Sequence, residues 1–104
     1  MQERRQAKRF RLDLPARWES LLAQGRGAVC DLSATGCFVL APVRLKPSEL
    51  VRMEIQFPNH LVFVWGQTVY QVAEMGFAVR FVFSEENEGR ALRKLIEKLH
   101  QASG

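Results

Sequence analysis

The chain has 104 residues, 47% hydrophobic and 25% charged, with a formal net charge of +4 at pH 7; that length fits one domain and that balance an ordinary globular core. No apolar run approaches the ~20 residues that a spanning helix needs, and the basic amino end is not followed by the apolar stretch of a secretory signal. Membrane insertion and export are therefore not expected, a cytoplasmic location is, and the positive balance favours an anionic partner without naming one.

Between Arg4 and Arg11 five basic side chains fall within eight residues, with no acid among them. Such a local field attracts phosphates. From Phe10 the pattern turns to period two: Phe10, Leu12 and Leu14 alternate with Arg9, Arg11 and Asp13, which predicts a half-buried strand running towards Glu19. Pro15 puts that strand at an edge or a bulge. The segment from Gly25 to Gly27 reads as a turn, Ala28-Val29-Cys30 as a short strand, and Asp31-Leu32-Ser33-Ala34-Thr35-Gly36 as the loop after it. Gly36 suits a backbone angle closed to other residues, or a close approach by ligand. The apolar run Cys37 to Leu40 resumes a strand.

Pro42 and Pro47 bracket a loop, after which Val51, Met53, Ile55 and Phe57 alternate with Arg52, Glu54 and Gln56 in the clearest strand of the chain. Pro58-Asn59 marks a turn, followed by the apolar and aromatic run Leu61 to Tyr70, in which Gly66 predicts a bulge or bend. The last strand, Gly76 to Phe83, sets Phe77, Val79, Phe81 and Phe83 on one face, with Arg80 on the other. Ser84 stands where a helix cap belongs, acids follow in the first turn and bases later. Leu92, Leu95, Ile96 and Leu99 form one apolar stripe on this helix. The reading is a mainly β domain over residues 1–104: a basic arm at 1–9, a six-stranded antiparallel barrel at 10–83 and a carboxy-terminal helix at 84–101.

Two segments carry chemistry. Arg5 and Arg9 stand four apart with Arg4 directly ahead, and Asp31, Ser33 and Gly36 form a D-x-S-x-x-G pattern. An R-x-x-x-R spacing is expected by chance in a chain with 11 arginines, whereas the second pattern is far rarer when only two Asp are present. Arginine pairs with phosphate, with the N7/O6 edge of guanine or with a ring face, and aspartate accepts from guanine N–H donors. The combination points to a guanine nucleotide held rather than transformed.

The order RRQAKRF then DLSATG, followed by the strand-like GFAVRF, resembles the PilZ domain family over essentially the whole chain. The resemblance implies a flexible arm that folds over cyclic di-GMP seated on a barrel. Arg5 and Arg9 would contact phosphate and guanine, Asp31 and Ser33 the guanine edge and nearby phosphate, and Gly36 would keep the loop shape that points them outward together. The basic Arg4 implies two stacked ligand molecules per chain. Output would pass to a separate, unidentified partner protein, in motility, biofilm or exopolysaccharide control, from a monomer or weak dimer.

Other classes are less well served. An adaptor that works without ligand fits relatives whose arginines have decayed, and single-stranded nucleic acid calls for outward aromatics interleaved with bases, of which the sequence has no obvious run. Trp18 and Trp65 read as packing residues, and Arg80 as either a solvent-facing side chain or part of the ligand surface. Ser33 and Asp31 can also simply cap their own turn. Cys30 and Cys37 read as structural thiols. His60 and His100 lack metal-ligand spacing, and no nucleophile–base set or cofactor motif is present, so neither an enzyme nor a resident cofactor is expected.

Overall fold

Side chains alternating between apolar and polar draw out six strands in the computed structural model, which describes residues 9–103: β1 (Phe10–Glu19), β2 (Gln24–Leu32), β3 (Gly36–Leu40), β4 (Leu50–Phe57), β5 (His60–Val72) and β6 (Gly76–Val82), then helix α1 (Glu86–Ser103). Every pairing is antiparallel and the ring closes in the order β1-β2-β3-β6-β5-β4. This is the mainly β, six-stranded barrel with a carboxy-terminal helix that the sequence predicts. Its interior is filled by Trp18, Val29, Leu32, Val39, Met53, Ile55, Phe57, Phe77 and Val79, and each large apolar side chain buried there contributes about 1.5–3 kcal/mol.

Helix α1 brings Leu92 and Ile96 into the core, with Leu95 and Leu99 beside them. Leu95 and Leu99 share a hollow with Phe57 and His60, and Ile96 and Leu99 share another with Phe10 and Leu12. The helix therefore lies across the barrel end where β1 starts and β4 stops. Phe10 stacks there on His100, with ring centroids 4.6 Å apart. The basic segment before Arg9 lies outside the described residues.

Pro15 sits where the sequence places it, next to a register shift between Arg11 and Leu14 and just beyond the stretch of β1 that pairs with β4. Its missing N–H thus removes no bond from that side. Other punctuation differs. Gly25 and Gly27 lie within β2, and the turn falls earlier, where Ser20 N–H donates to Ala23 O at 2.7 Å. Gly25 is opposite Trp18, whose ring would stand 2.9 Å from an added Cβ, so the glycine makes room for an indole and turns nothing. Gly66 likewise sits in a regular ladder, giving space to Val79, and the register shift in β5 comes later, between Thr68 and Tyr70. Ser84 lies two residues ahead of α1; its hydroxyl donates to the Glu88 carboxylate at 3.1 Å and its backbone N–H to the same carboxylate at 3.0 Å.

Candidate functional site

The D-x-S-x-x-G segment is more strand than loop. Asp31 and Leu32 are the last residues of β2 and Gly36 the first of β3, which leaves Ser33 to Thr35 as the bend. Ser33 makes that bend. Its backbone N–H donates to Gly36 O at 2.9 Å, and its hydroxyl oxygen accepts from the backbone N–H groups of Thr35 and Gly36 at 3.2 and 3.3 Å. A second anchor ties the bend to β6, where Phe81 N–H donates to Thr35 O at 2.8 Å.

The side chains of Asp31 and Ser33 consequently part company. Ser33 is only 7% exposed and turned into the bend, not outward as expected. Asp31 stays partly open, and its carboxylate receives Arg9, with Nε to one oxygen at 3.3 Å and an Nη to the other at 3.2 Å. This is the two-pronged geometry that suits a planar guanidinium. With side-chain exposures of 59% for Arg9 and 32% for Asp31, the pair faces water, and the carboxylate keeps acceptor positions beyond the two that Arg9 uses.

Gly36 carries no positive backbone angle. Its requirement is space: a Cβ there would lie 2.3 Å from the Val79 carbonyl oxygen, because β6 passes directly against it. The close approach anticipated for a ligand is made by the barrel's own backbone. Register then places Arg80 opposite Gly36, and its guanidinium donates to Gln67 Oε1 at 3.0 Å on the outward face. Farther along that face Phe38 and Tyr70 approach with ring centroids at 6.3 Å, across Ala78.

The structure thus gathers Arg9, Asp31, Ser33 and Gly36 at one end of β2 and β3, whereas Arg4 and Arg5 lie outside the described residues. It adds cations that sequence reading passed over. Arg90 and Arg93 line a hollow with Ala34, Thr35 and Phe83, so α1 carries two guanidiniums to the rim of the bend. The signal was there in a weak form: two arginines in the first half of a helix, where the dipole favours acids.

Cys30 and Cys37 are free, and Cys37 is buried beneath the bend. Burial pushes the Cys37 thiol far above its usual range, with the charges of Asp31 and Cys30 adding to the effect. Such a thiol stays protonated and inert. Among the described residues no group of three or more His, Cys, Asp or Glu is placed to hold a metal ion, and no helix is long and apolar enough to cross a membrane.

No curated protein sequence matches the chain. Among solved structures, the PilZ domain with c-di-GMP of YcgR from Escherichia coli superposes with a TM-score of 0.81 at 15% identity, covering 97% of this chain and 95% of that one. The K. pneumonia MrkH–c-di-GMP complex gives 0.82 at 17% identity, over 97% of this chain and 54% of that chain. The Bacillus subtilis inhibitor of motility MotI/DgrA gives 0.73 at 17% identity, over 95% of this chain and 53% of that chain. The chain therefore spans about half the length of two of these three proteins. At such identities the likeness speaks for the fold. The sequence itself matches the PilZ domain model over residues 3–98, a stretch that takes in the arginines, the bend, the barrel and most of the helix, and the chain belongs to the PilZ domain family.

Proposed function

We propose that this chain is a receptor for cyclic di-GMP that carries out no chemistry on it and passes the bound state to a separate protein. The observation that supports this best is the docking of Arg9 on Asp31, 22 residues away in sequence, at the mouth of the bend. Two of the three structures compared above are described as complexes with c-di-GMP.

In this reading the Asp31 carboxylate accepts the N–H donors of one guanine edge through the acceptor positions that Arg9 leaves open. Arg9 turns its guanidinium to phosphate or to the guanine ring. Arg5 is four residues upstream, so its Cα lies within about 14 Å of that of Arg9 even in a fully extended chain, close enough for its side chain to reach the same ligand. Arg4 adds a third guanidinium, which offsets the phosphate charge of a second stacked molecule. Ser33 acts as a positioning residue, holding the bend that aims Asp31, and Gly36 lets β6 seat that bend. Arg80, and Arg93 at the rim, extend the cationic border.

Ordering the arm costs about 1–2 kcal/mol of backbone entropy per residue fixed, which the charge-assisted contacts must exceed. The same ordering is the output: a closed arm and a bound nucleotide make a surface that the free chain lacks. A bacterial cytoplasm and a role in motility, biofilm or exopolysaccharide control belong to this proposal. Calorimetric titration with cyclic di-GMP, beside GTP and GMP, tests it. The expected result is saturable heat for the cyclic dinucleotide alone, with about two ligands per chain if Arg4 serves as proposed; equal response to GMP would remove the ligand assignment.

A further inference from the structure

The barrel carries a second organised surface. The ring order places β5 three strands from β2 in either direction, diametrically away from the bend. Here β5 presents Leu61, Phe63 and Trp65 to solvent, with Phe63 55% and Trp65 47% exposed, although no basic residue is interleaved with them on that strand. Of the core or edge packing that the sequence implies for Trp65, its half exposure excludes the core. The apolar run Leu61 to Tyr70 hides this face in sequence, since its inward and outward positions are equally hydrophobic.

Two neighbouring register rows cross this face. In one, Arg17 of β1, Glu54 of β4 and Phe63 of β5 stand abreast; in the next, Glu19, Arg52 and Trp65 do. The sign of charge reverses between the rows on both β1 and β4, while β5 offers an aromatic ring in each. Arg52 is held in place over the Phe63 ring, 5.3 Å from its centroid, and 3.8 Å from the Glu19 carboxylate.

That pattern is self-complementary. Consider a second copy turned by half a revolution about an axis that lies in the face, crosses the strands and runs between the two rows. Each row then falls on the other: Arg17 meets the partner's Glu19, Glu54 meets the partner's Arg52, and Phe63 meets the partner's Trp65. Every charge finds its opposite and every ring a ring, as an isologous two-fold contact requires. An axis along the strands would instead set the β4 charges against β6, where Val82 stands beside Trp65.

Area agrees with this occupant. Aromatic side chains offer 150–250 Å² each, so the exposed halves of Phe63 and Trp65, with Leu61 and Val82 beside them, make an apolar centre of roughly 300–400 Å², at the scale of the largest patch on an ordinary monomer. The charged residues of β1 and β4 bring the face towards the ~800 Å² per partner of a specific contact. We propose that this β1–β4–β5 face is the interface of a two-fold homodimer whose two ligand-binding bends remain free on the outer sides.

Sedimentation velocity on the intact chain, from low micromolar to several hundred micromolar, tests it. The wild-type protein is expected to move from one chain towards two as concentration rises. Trp65→Glu should hold it at one chain, and Arg52→Glu should weaken association at least about tenfold. Adding Glu54→Arg to Arg52→Glu inverts both signs, so the double variant should associate again, a rescue that a merely structural role for these residues would not give. Circular dichroism establishes that each variant is folded. A wild type that remains one chain throughout, a dimer untouched by Trp65→Glu, a double variant no better than Arg52→Glu, or a monomer whose Phe63 and Trp65 instead bind oligothymidylate would each overturn the proposal.

Discussion

Arg9 and Asp31 form a two-pronged ion pair at 3.2 and 3.3 Å across 22 residues of sequence, joining the foot of the amino-terminal arm to the end of β2. Both groups face water, so the pair is worth at most about 1 kcal/mol to the fold. A nucleotide that recruits the same two side chains would gain about 1.5–3 kcal/mol from each charged hydrogen bond. Arg9→Ala and Asp31→Ala are therefore expected to lower cyclic di-GMP affinity tenfold or more while shifting the urea midpoint very little. Calorimetry and urea titration on the same samples separate the two effects; unchanged affinity in both variants would remove these residues from the site. Raising salt should weaken binding in the wild type, because contacts between arginine and phosphate in water are screened.

Gly36→Ala forces a Cβ to within 2.3 Å of the Val79 carbonyl oxygen. Backbone cannot swing aside as a side chain can, so the β3–β6 ladder must part locally. We expect a loss of about 1–3 kcal/mol in unfolding free energy, together with weaker nucleotide binding because the bend that aims Asp31 is displaced. Urea unfolding measures the first effect. A stability equal to wild type would show that β6 does not constrain the bend.

Ser33→Ala removes the oxygen that receives the Thr35 and Gly36 N–H groups. A cost of about 1 kcal/mol is expected, and hydrogen exchange should quicken at those two amides. Affinity should fall through misplacement of Asp31, so Ser33→Thr, which restores a hydroxyl, should recover most of it.

Cys37 supplies a pH dependence. Its thiol is held protonated in the folded chain well above the ordinary value near 9.0, chiefly by burial. As pH rises through 9 the unfolded chain releases this proton while the folded chain keeps it, so the unfolded state binds fewer protons and stability declines. Unfolding free energy should therefore slope downward above pH 9, and Cys37→Ala should flatten that slope. Thiol-reactive reagents should reach Cys37 only at the rate of unfolding; rapid modification in native buffer would contradict its burial.

Glu74 closes the turn between β5 and β6 with a backbone φ of 62°, in the left-handed region that costs a side-chain-bearing residue about 1 kcal/mol. Glu74→Gly is expected to raise the thermal midpoint by a few degrees. A lowered midpoint would mean that the side chain makes a compensating contact.

Much of this molecule is legible in its sequence. Val51, Met53, Ile55 and Phe57 announce β4 because a strand buried on one face alternates, and Leu92, Ile96 and Leu99 announce the helix because its buried stripe recurs with the turn. Glycines misled at Gly25 and Gly66, where the residue serves to admit Trp18 or Val79; in sequence a spacer and a turn look alike. Asp31, Gly36 and Arg9 could be read from motif spacing. The inward hydroxyl of Ser33 could not, since the same oxygen can serve turn or ligand, and the placing of Arg80 beside Gly36 or Arg93 beside Thr35 requires a strand register and a helix direction that no local pattern encodes. The aromatic face of β5 stayed hidden because its inward and outward positions are equally hydrophobic.

Amide chemical shifts recorded as cyclic di-GMP is added to the isotope-labelled chain give the most direct test of where and whether the nucleotide binds. Movement is expected at Arg4 to Arg9, at Asp31 to Gly36 and at Arg80, with Phe63 and Trp65 unmoved on the far side of the barrel. An unchanged spectrum at saturating nucleotide, or shifts confined to the β4 and β5 face, would contradict the receptor site proposed above.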